Sequence, residues 1–202
     1  MSDRKSQLID RTIDYLLENG LAGLSLRPLA AGIGTSARLL IFHFGSKEGL
    51  VEEVLTEVQE RMRNSLAAIA SSRSSVPGET PMKRCWRWAS DKRNLPYLRL
   101  LYEAHFIAVR TPGTYERYLN QSSLNWIEFI ASRLPESISS AATATLCGAV
   151  FDGLIIELLS TGDLRRTTRA LDDFIALLQR EHEARTRAAR LEERARKTRS
   201  RT

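Results

Sequence analysis

The chain has 202 residues, of which 43% are hydrophobic and 27% charged, and its net charge is +6, a size and composition typical of one globular domain or two small ones. No apolar run reaches the roughly 18 residues of a membrane-spanning helix, and no apolar segment follows the first charged residues, so we expect neither a membrane span nor a signal peptide. The two cysteines, Cys85 and Cys147, are typical of a reducing cytoplasm, where we expect this protein to be.

Apolar residues recur at three- and four-residue spacing along nearly the whole chain, which predicts an all-α fold. The first helix is indicated by four apolar residues on one face: Ile9, Ile13, Leu16 and Leu17. It should end at Asn19-Gly20, because a glycine after the last turn is a common helix C-cap. Ser25 is placed to cap the second helix, and Pro28 fits in its first turn.

The second helix and the third are both very short. Thr35 or Ser36 caps the third helix, which ends near Phe44. Ser46 caps a long fourth helix that runs to about residue 70. Two short helices joined by a glycine-bearing turn are typical of a helix-turn-helix.

The third helix carries large apolar residues on both of its faces. Leu40 and Phe44 are four residues apart and are predicted to face inward. The outward face then holds Arg38, Leu39, Phe42 and His43. Leu39 and Phe42 fit thymine methyl groups or sugar edges in a major groove, although the same two residues also fit a tight three-helix core.

A composition break at residues 71–81 (SSRSSVPGETP) predicts a flexible connection, and about five helices follow it. Two of these helices carry apolar seams with a spacing typical of coiled-coil packing. The seams are either one buried stripe inside the chain or part of a four-helix dimer interface. We expect dimer contacts from Val150, Leu154, Leu158, Leu171, Ile175 and Leu178.

The C-terminal half is rich in aromatic residues with few polar neighbours. As single residues they are typical of a plain hydrophobic core, and as a group they favour the lining of an apolar pocket. The candidate ligand-binding residues are Trp86, Tyr102, His105, Phe106, Trp126, Phe129 and Phe151, with Glu103 as a further polar neighbour. The histidines and cysteines lack the spacing of metal ligands, and catalytic motifs are missing, so we expect no metal, no cofactor and no enzymatic activity.

The positive charge is concentrated at the C-terminal end. From residue 180 onward nine basic residues accompany four acidic ones, a balance of +5 within the total of +6. The first sixty residues are instead net acidic, so nucleic-acid binding must depend on local placement rather than on overall charge. Residues 185–202 are expected to be a helical extension or a disordered basic tail.

The stretch LRPLAAGIGTSARLLIFHFGSKEGL carries a more specific pattern. It resembles the N-terminal DNA-binding domain of TetR-type transcriptional regulators over roughly residues 5–55. The matching positions are Gly34-Thr35-Ser36, Leu40, His43-Phe44 and Ser46-Lys47-Glu48. Ile41-Phe42 stands where the family usually has an aromatic pair, so one tyrosine, and its hydrogen bond to a phosphate, is missing.

The resemblance implies an architecture and a set of DNA contacts. A helix-turn-helix domain (residues 1–50) would precede a helical ligand-binding and dimerisation domain (51–184), with the fourth helix (46–70) connecting them. The third helix would enter the major groove, where Arg38 is suited to guanine. The other implied DNA contacts are Ser25, Arg27, Thr35, Ser36, Leu39, Phe42, His43 and Lys47, of which Thr35, Ser36 and Lys47 would meet phosphates.

The predicted function is therefore that of a sequence-specific, homodimeric regulator. It would bind double-stranded DNA at a palindromic operator, most simply as a repressor that responds to a small apolar effector. The alternative is a non-specific nucleic-acid-binding protein whose affinity comes from the basic tail.

Overall fold

The computed structural model describes residues 3–72, 76–111 and 113–199. Across these residues the chain is helical and contains no β-strand, which confirms the predicted all-α fold. The helices are α1 (Asp3–Asn19), α2 (Leu26–Gly32), α3 (Ala37–Phe44), α4 (Lys47–Ser71), α5 (Pro81–Ala89), α6 (Leu95–Arg110), α7 (Glu116–Ala131), a 3-10 turn (Glu136–Ile138), α8 (Ala141–Thr161) and α9 (Leu164–Arg199).

The N-terminal helix boundaries follow local signals in the sequence. Ser36 Oγ accepts the backbone N–H of Leu39 at the start of α3 (3.2 Å), and Ser46 Oγ caps α4 in the same way. Each such cap stabilises its helix by about 1 kcal/mol. The turn between α2 and α3 includes Gly34 at φ +67°, a conformation that L residues rarely adopt. Ser25 occupies the N-cap of α2, but its side chain makes no capping hydrogen bond.

The structure divides into two compact units. The first comprises residues 1–75 and 87–124, and so contains α1 to α4, α6 and the first half of α7. Its fully buried side chains include Ile13, Leu16, Leu29, Leu40, Leu50, Leu55 and Leu100. The predicted functional boundaries after residues 50 and 184 remain predictions.

The second unit comprises residues 76–86 and 125–202. Here α8 packs along α9, and Ile155 and Leu171 are fully buried. The helix α9 continues to Arg199, so the tail is helical as far as the structure describes it; residues 200–202 lie outside the described part. The predicted connection at 71–81 falls partly on residues 73–75, which also lie outside it.

The helix α8 bears on the expectation that the chain has no membrane span. By length and composition it is apolar enough to cross a membrane, with 22% of its most apolar window buried in the chain. Core helices of soluble proteins meet the same two criteria. The relevant observation is therefore that much of this apolar helix is open to solvent in a single chain.

Candidate nucleic-acid interface

The helix α3 separates its apolar residues onto two faces. Leu40 and Phe44 are 1% and 7% exposed, whereas Phe42 is 80% exposed and Arg38 is also exposed. This confirms the predicted inward and outward orientation of these side chains. Leu39 and Phe42 also fit a tight three-helix core by their sequence, but only Leu39 is half-buried and Phe42 is exposed.

The inward face is held by α1 and α4. Lys5 Nζ lies 5.2 Å from the centre of the Phe44 ring and 2.7 Å from Oε2 of Glu53. A cation over an aromatic face stabilises the contact by about 0.5–1 kcal/mol where water has access. On the other side of the helix, the rings of Phe42 and His43 meet edge to face with their centres 5.2 Å apart. The half-buried His43 therefore supports the base of the exposed phenyl ring.

The hydroxyl groups expected to contact phosphates differ from one another. Thr35 Oγ1 is buried and has no hydrogen-bond partner, so in this conformation it cannot meet a phosphate. Ser36 Oγ accepts the Leu39 amide but keeps its own proton to donate. Ser25 is exposed and its side chain makes no cap. Ser25 and Ser36 are thus the hydroxyls placed to reach a ligand.

The basic residues near α3 are available to an anion. Arg27 and Arg38 are exposed and form no ion pair with any residue that the structure describes. Lys47 is half-buried, and its Nζ lies 3.5 Å from a Glu48 carboxylate oxygen. The acidic excess of this region is partly neutralised elsewhere, since Arg61 lies 2.5 Å from Asp10, across α1 and α4.

Sequence reasoning missed a contact that α6 makes with the end of α1. Glu103 accepts the backbone N–H groups of Leu21 (3.0 Å) and Ala22 (2.8 Å), just before α2 begins. Arg99 Nη2 donates to the carbonyl of Leu17 (3.0 Å). The sequence indicated Glu103 only as a polar neighbour of a ligand pocket. Its partners here are backbone amides, which cannot be distinguished from one another in a sequence.

The candidate ligand-binding residues of the second unit form two aromatic pairs. The rings of Trp86 and Phe151 meet edge to face at 5.7 Å, and Trp86 Nε1 donates to Thr168 Oγ1 (2.9 Å). Trp86 is only 2% exposed, so this pair belongs to the core of the unit. The rings of Trp126 and Phe129 meet edge to face at 5.4 Å.

A guanidinium already lies against the second pair. The Arg133 guanidinium carbon is 3.8 Å from the centre of the Phe129 ring, and Nη1 of Arg133 donates to the Phe129 carbonyl. One aromatic face that a ligand would use is therefore covered by a cation from the same helix region.

The other three ligand candidates lie on α6, in the first unit. His105 is exposed, Phe106 is 58% exposed and Tyr102 is half-buried. The structure thus places the seven candidates in two sets, one in each compact unit, and each set is described by itself.

Half of the predicted dimer contacts are buried inside the chain. Leu158, Leu171 and Ile175 are buried in a single protomer, which leaves them little surface for a second chain. Val150, Leu154 and Leu178 are half-buried. The large exposed apolar residues of α8 and α9 are at other positions: Leu146 (52%), Ile156 (38%) and Leu159 (37%) on α8, and Leu164, Leu177 and Leu191 on α9.

Neither of the two cysteines forms a disulfide, and both thiols are at least partly buried. Burial raises the pKa of Cys147, and burial also raises the pKa of Cys85 against the opposing influence of Arg133 and Arg84. Both thiols are therefore held in the protonated, less reactive form at neutral pH. Within the described residues, no group of three or more histidine, cysteine or acidic side chains is placed to hold a metal ion.

Known proteins resemble this chain in sequence and in fold. Residues 8–54 match the sequence pattern of bacterial regulatory proteins of the tetR family. The HTH-type transcriptional regulator BetI of Paraburkholderia phytofirmans is 27% identical over 196 residues, which cover 87% of this chain and 93% of that protein.

Two solved structures share the fold over most of the chain. One is a TetR-family transcriptional regulator from Rhodococcus (TM-score 0.67, 21% identity, covering 88% of this chain and 99% of that one). The other is a transcriptional regulator from Saccharomonospora viridis in complex with choline (TM-score 0.67, 16% identity, covering 87% and 97%). Residues 8–54 thus carry the helix-turn-helix pattern of tetR-family regulatory proteins, and most of the chain is similar to transcriptional regulators with this motif in sequence and to TetR-family structures in fold.

Proposed function

We propose that the protein is a homodimeric repressor that reads a palindromic operator with α3 and responds to a small effector. The observation that carries the proposal is the division of α3 into two faces. Its inner face is anchored by Leu40 and Phe44, while Phe42 is 80% exposed beside Arg38. A large aromatic ring held in water next to a free guanidinium suits a groove with thymine methyl groups and guanine edges.

The residue roles follow from this placement. Arg38 would bind guanine O6 and N7, and Phe42, with the half-buried Leu39, would meet thymine methyl groups or sugars. Ser36 and Lys47 would contact phosphates at the starts of α3 and α4, where the helix dipoles favour anions. Ser25 and Arg27 would meet the backbone from the start of α2.

Dimerisation is supported by the open apolar face of α8. Leu146, Ala149, Gly153 and Ile156 recur at three- and four-residue spacing, so they lie along one side of the helix, and all four are exposed. A Cβ added at Gly153 would meet nothing within 4 Å, so this face lies open in the protomer. Small residues between large ones allow two helices to approach closely. A second copy of the chain would cover this surface and double the DNA contacts. The two copies of α3 would then lie about one helical turn of DNA apart.

The dimer surface is testable with one buried charge. Ile156→Glu would place a carboxylate in the proposed interface and is expected to give monomers in sedimentation equilibrium at micromolar concentration. Val109→Glu is the matched control, since Val109 is 70% exposed on α6 in the other compact unit. A dimeric Ile156→Glu protein would place the interface elsewhere.

The effector is proposed to contact the aromatic residues beyond α4. The structural relative from Saccharomonospora viridis holds choline, and aromatic rings with few carboxylates are suited to apolar molecules and to quaternary ammonium groups. Choline is therefore the first probe, with tryptophan fluorescence as the readout. The expected result is saturable quenching that Trp126→Phe reduces, together with weaker DNA binding in the presence of the probe.

The experiment that tests the DNA-binding proposal is anisotropy across salt concentrations on a fragment from upstream of the gene. Wild type, Arg38→Ala and a chain truncated after Ala184 are compared, with random DNA as competitor. Tight, competitor-resistant binding that Arg38→Ala loses and truncation keeps supports the regulator. Binding that only truncation abolishes, equal on random DNA, supports bulk polyanion attachment through the exposed basic end of α9.

A further inference from the structure

Two side chains one turn apart on α6, Arg99 and Glu103, fasten this helix to the end of α1; we call them the α6 clamp. Glu103 accepts the amides of Leu21 (3.0 Å) and Ala22 (2.8 Å), one with each carboxylate oxygen. Arg99 donates to the carbonyl of Leu17 (3.0 Å). The turn that leads into α2 is therefore tied to α6 by three directional bonds.

Both halves of the clamp are favourable for their position. A carboxylate that accepts two adjacent amides makes charge-assisted hydrogen bonds, which are roughly twice as strong as neutral ones. The guanidinium of Arg99 meets the last turn of α1, where the helix dipole favours a cation. The Leu21 side chain is 4% exposed, so the same turn is also anchored in the core.

Gly20 gives the carboxylate its room. It adopts φ +74°, and a Cβ there would lie 3.1 and 3.3 Å from the two Glu103 oxygens. Gly23 has nearly the same conformation, φ +70°, but a Cβ there would meet nothing within 4 Å. The two glycines therefore differ in their contact with Glu103 and not in backbone strain.

The clamp lies between two functional regions of the same compact unit. The turn it holds runs directly into α2, and α2 packs on the recognition helix α3. The same α6 carries Tyr102, His105 and Phe106, the candidate effector contacts of this unit. Since a helix moves nearly as a rigid rod, a displacement of α6 moves Glu103 and the amides bound to it.

We propose that Arg99 and Glu103 are positioning residues that set the orientation of the recognition helix against α6. The proposal rests on the proposed function of α3 and adds the residues that hold α3 in place against α6.

The contact itself is tested by hydrogen exchange on the full-length protein. Glu103→Gln keeps the shape but replaces one acceptor oxygen with a donor, so at least one of the Leu21 and Ala22 amides loses its partner. Exchange at these amides is expected to be about tenfold faster, and at α2 and α3 it should also rise. Glu60→Gln, at an exposed site on α4, is the control and should change nothing. Unchanged exchange at Leu21 and Ala22 in Glu103→Gln overturns the proposal.

The positioning role is tested on operator variants in which the half-site spacer is one or two base pairs longer or shorter. Wild type should prefer one spacing, and Glu103→Gln should reduce that preference at least about threefold. An equal loss of affinity at every spacing would mean that Glu103 only stabilises the helix-turn-helix, and would overturn the proposal. Arg38→Ala is run in parallel: if it leaves operator binding intact, the proposed function has failed, and the exchange result still decides the clamp.

The glycine pair provides a second test that does not depend on Glu103 variants folding. Gly20→Ala and Gly23→Ala carry the same backbone strain, but only the first pushes on the carboxylate. Gly20→Ala is expected to broaden the spacing preference and speed amide exchange at Ala22 more than Gly23→Ala does. Equal effects of the two substitutions would count against the clamp.

Discussion

Two phenylalanines on the recognition helix, Phe42 and Phe44, make opposite predictions for the same substitution. Phe42 is 80% exposed and Phe44 is 7% exposed. Phe42→Ala should leave the free energy of unfolding within about 0.5 kcal/mol of wild type, as expected for an exposed site. Phe44→Ala should lower it by about 3–5 kcal/mol, because a buried ring leaves a cavity.

DNA binding should change for Phe42→Ala even though stability does not. A phenyl side chain offers roughly 200 Å² of surface, so about 160 Å² of Phe42 remain open. Covering half of that area with sugars and thymine methyl groups contributes about 2 kcal/mol. Losing it should weaken operator binding about thirtyfold.

The assay pairs urea unfolding, followed by circular dichroism, with fluorescence anisotropy on the operator fragment. Phe44→Ala serves as the comparison, since its binding loss should track its unfolded fraction. An operator affinity within twofold of wild type for Phe42→Ala would refute the assignment of the outward face to DNA. A loss of more than about 1 kcal/mol of stability would refute the exposure of the ring.

Three further predictions address other groups in the structure. Thr35→Val removes a buried hydroxyl that has no partner, so the free energy of unfolding should be unchanged or raised by up to about 1 kcal/mol. A tenfold loss of operator affinity in this variant would instead mean that the Thr35 hydroxyl does contact a phosphate. Asp91 accepts hydrogen bonds from the side chain and backbone of Arg93, which lower its pKa to about 2 from 3.8; NMR titration should show this, with Arg93→Ala raising it towards 3.8. The stability from that pair should be complete above pH 3.8 and should fall as the pH drops towards 2. Cys147 is buried with a raised pKa, so at pH 8 it should react with a thiol reagent only when urea unfolds the chain, and rapid labelling of the native protein would contradict its burial.

The parts of the fold that depend on near neighbours in sequence were predicted well. The caps at Ser36 and Ser46 and the end of α1 at Gly20 each involve residues within four positions of one another. The inward pair Leu40 and Phe44 follows from helical periodicity alone, because the outward face of a helix this short is set once its inner face is known.

The open apolar face of α8, the dimer surface proposed here, was not predicted from the sequence, for a physical reason. On α9 the seam through Leu171 and Ile175 marks the buried face, but periodicity does not say whether a buried face meets the same chain or another one. On α8 nearly every position is apolar, so no single stripe stands out, and only the packing against α9 shows that Leu146 and Ile156 remain open.

The directions of the side chains in the turn between α2 and α3 could not be predicted from the sequence either. The motif suggested that Thr35 and Ser36 would both contact phosphates, yet one hydroxyl is buried and the other caps α3. Adjacent residues in a tight turn point in different directions, and the backbone geometry around Gly34 decides which of them faces water.

The link between Glu103 and the turn after α1 shows the most general limit. The Glu103 oxygens accept hydrogen bonds from backbone amides that lie 82 and 81 residues away in the sequence. Every residue except proline carries such an amide, so nothing in the sequence marks these two. The one trace in the sequence is Gly20, which already had an adequate explanation as a helix cap. The helix cap requires the positive φ of Gly20 but does not require space for the Glu103 carboxylate beside it. Gly23 has a similar φ and no such neighbour, so comparing the two glycines separates the role in the cap from the role in the contact with Glu103. The proposed positioning of α3 by α6 therefore rests on a contact between two segments whose sequences, taken separately, give no reason to join them.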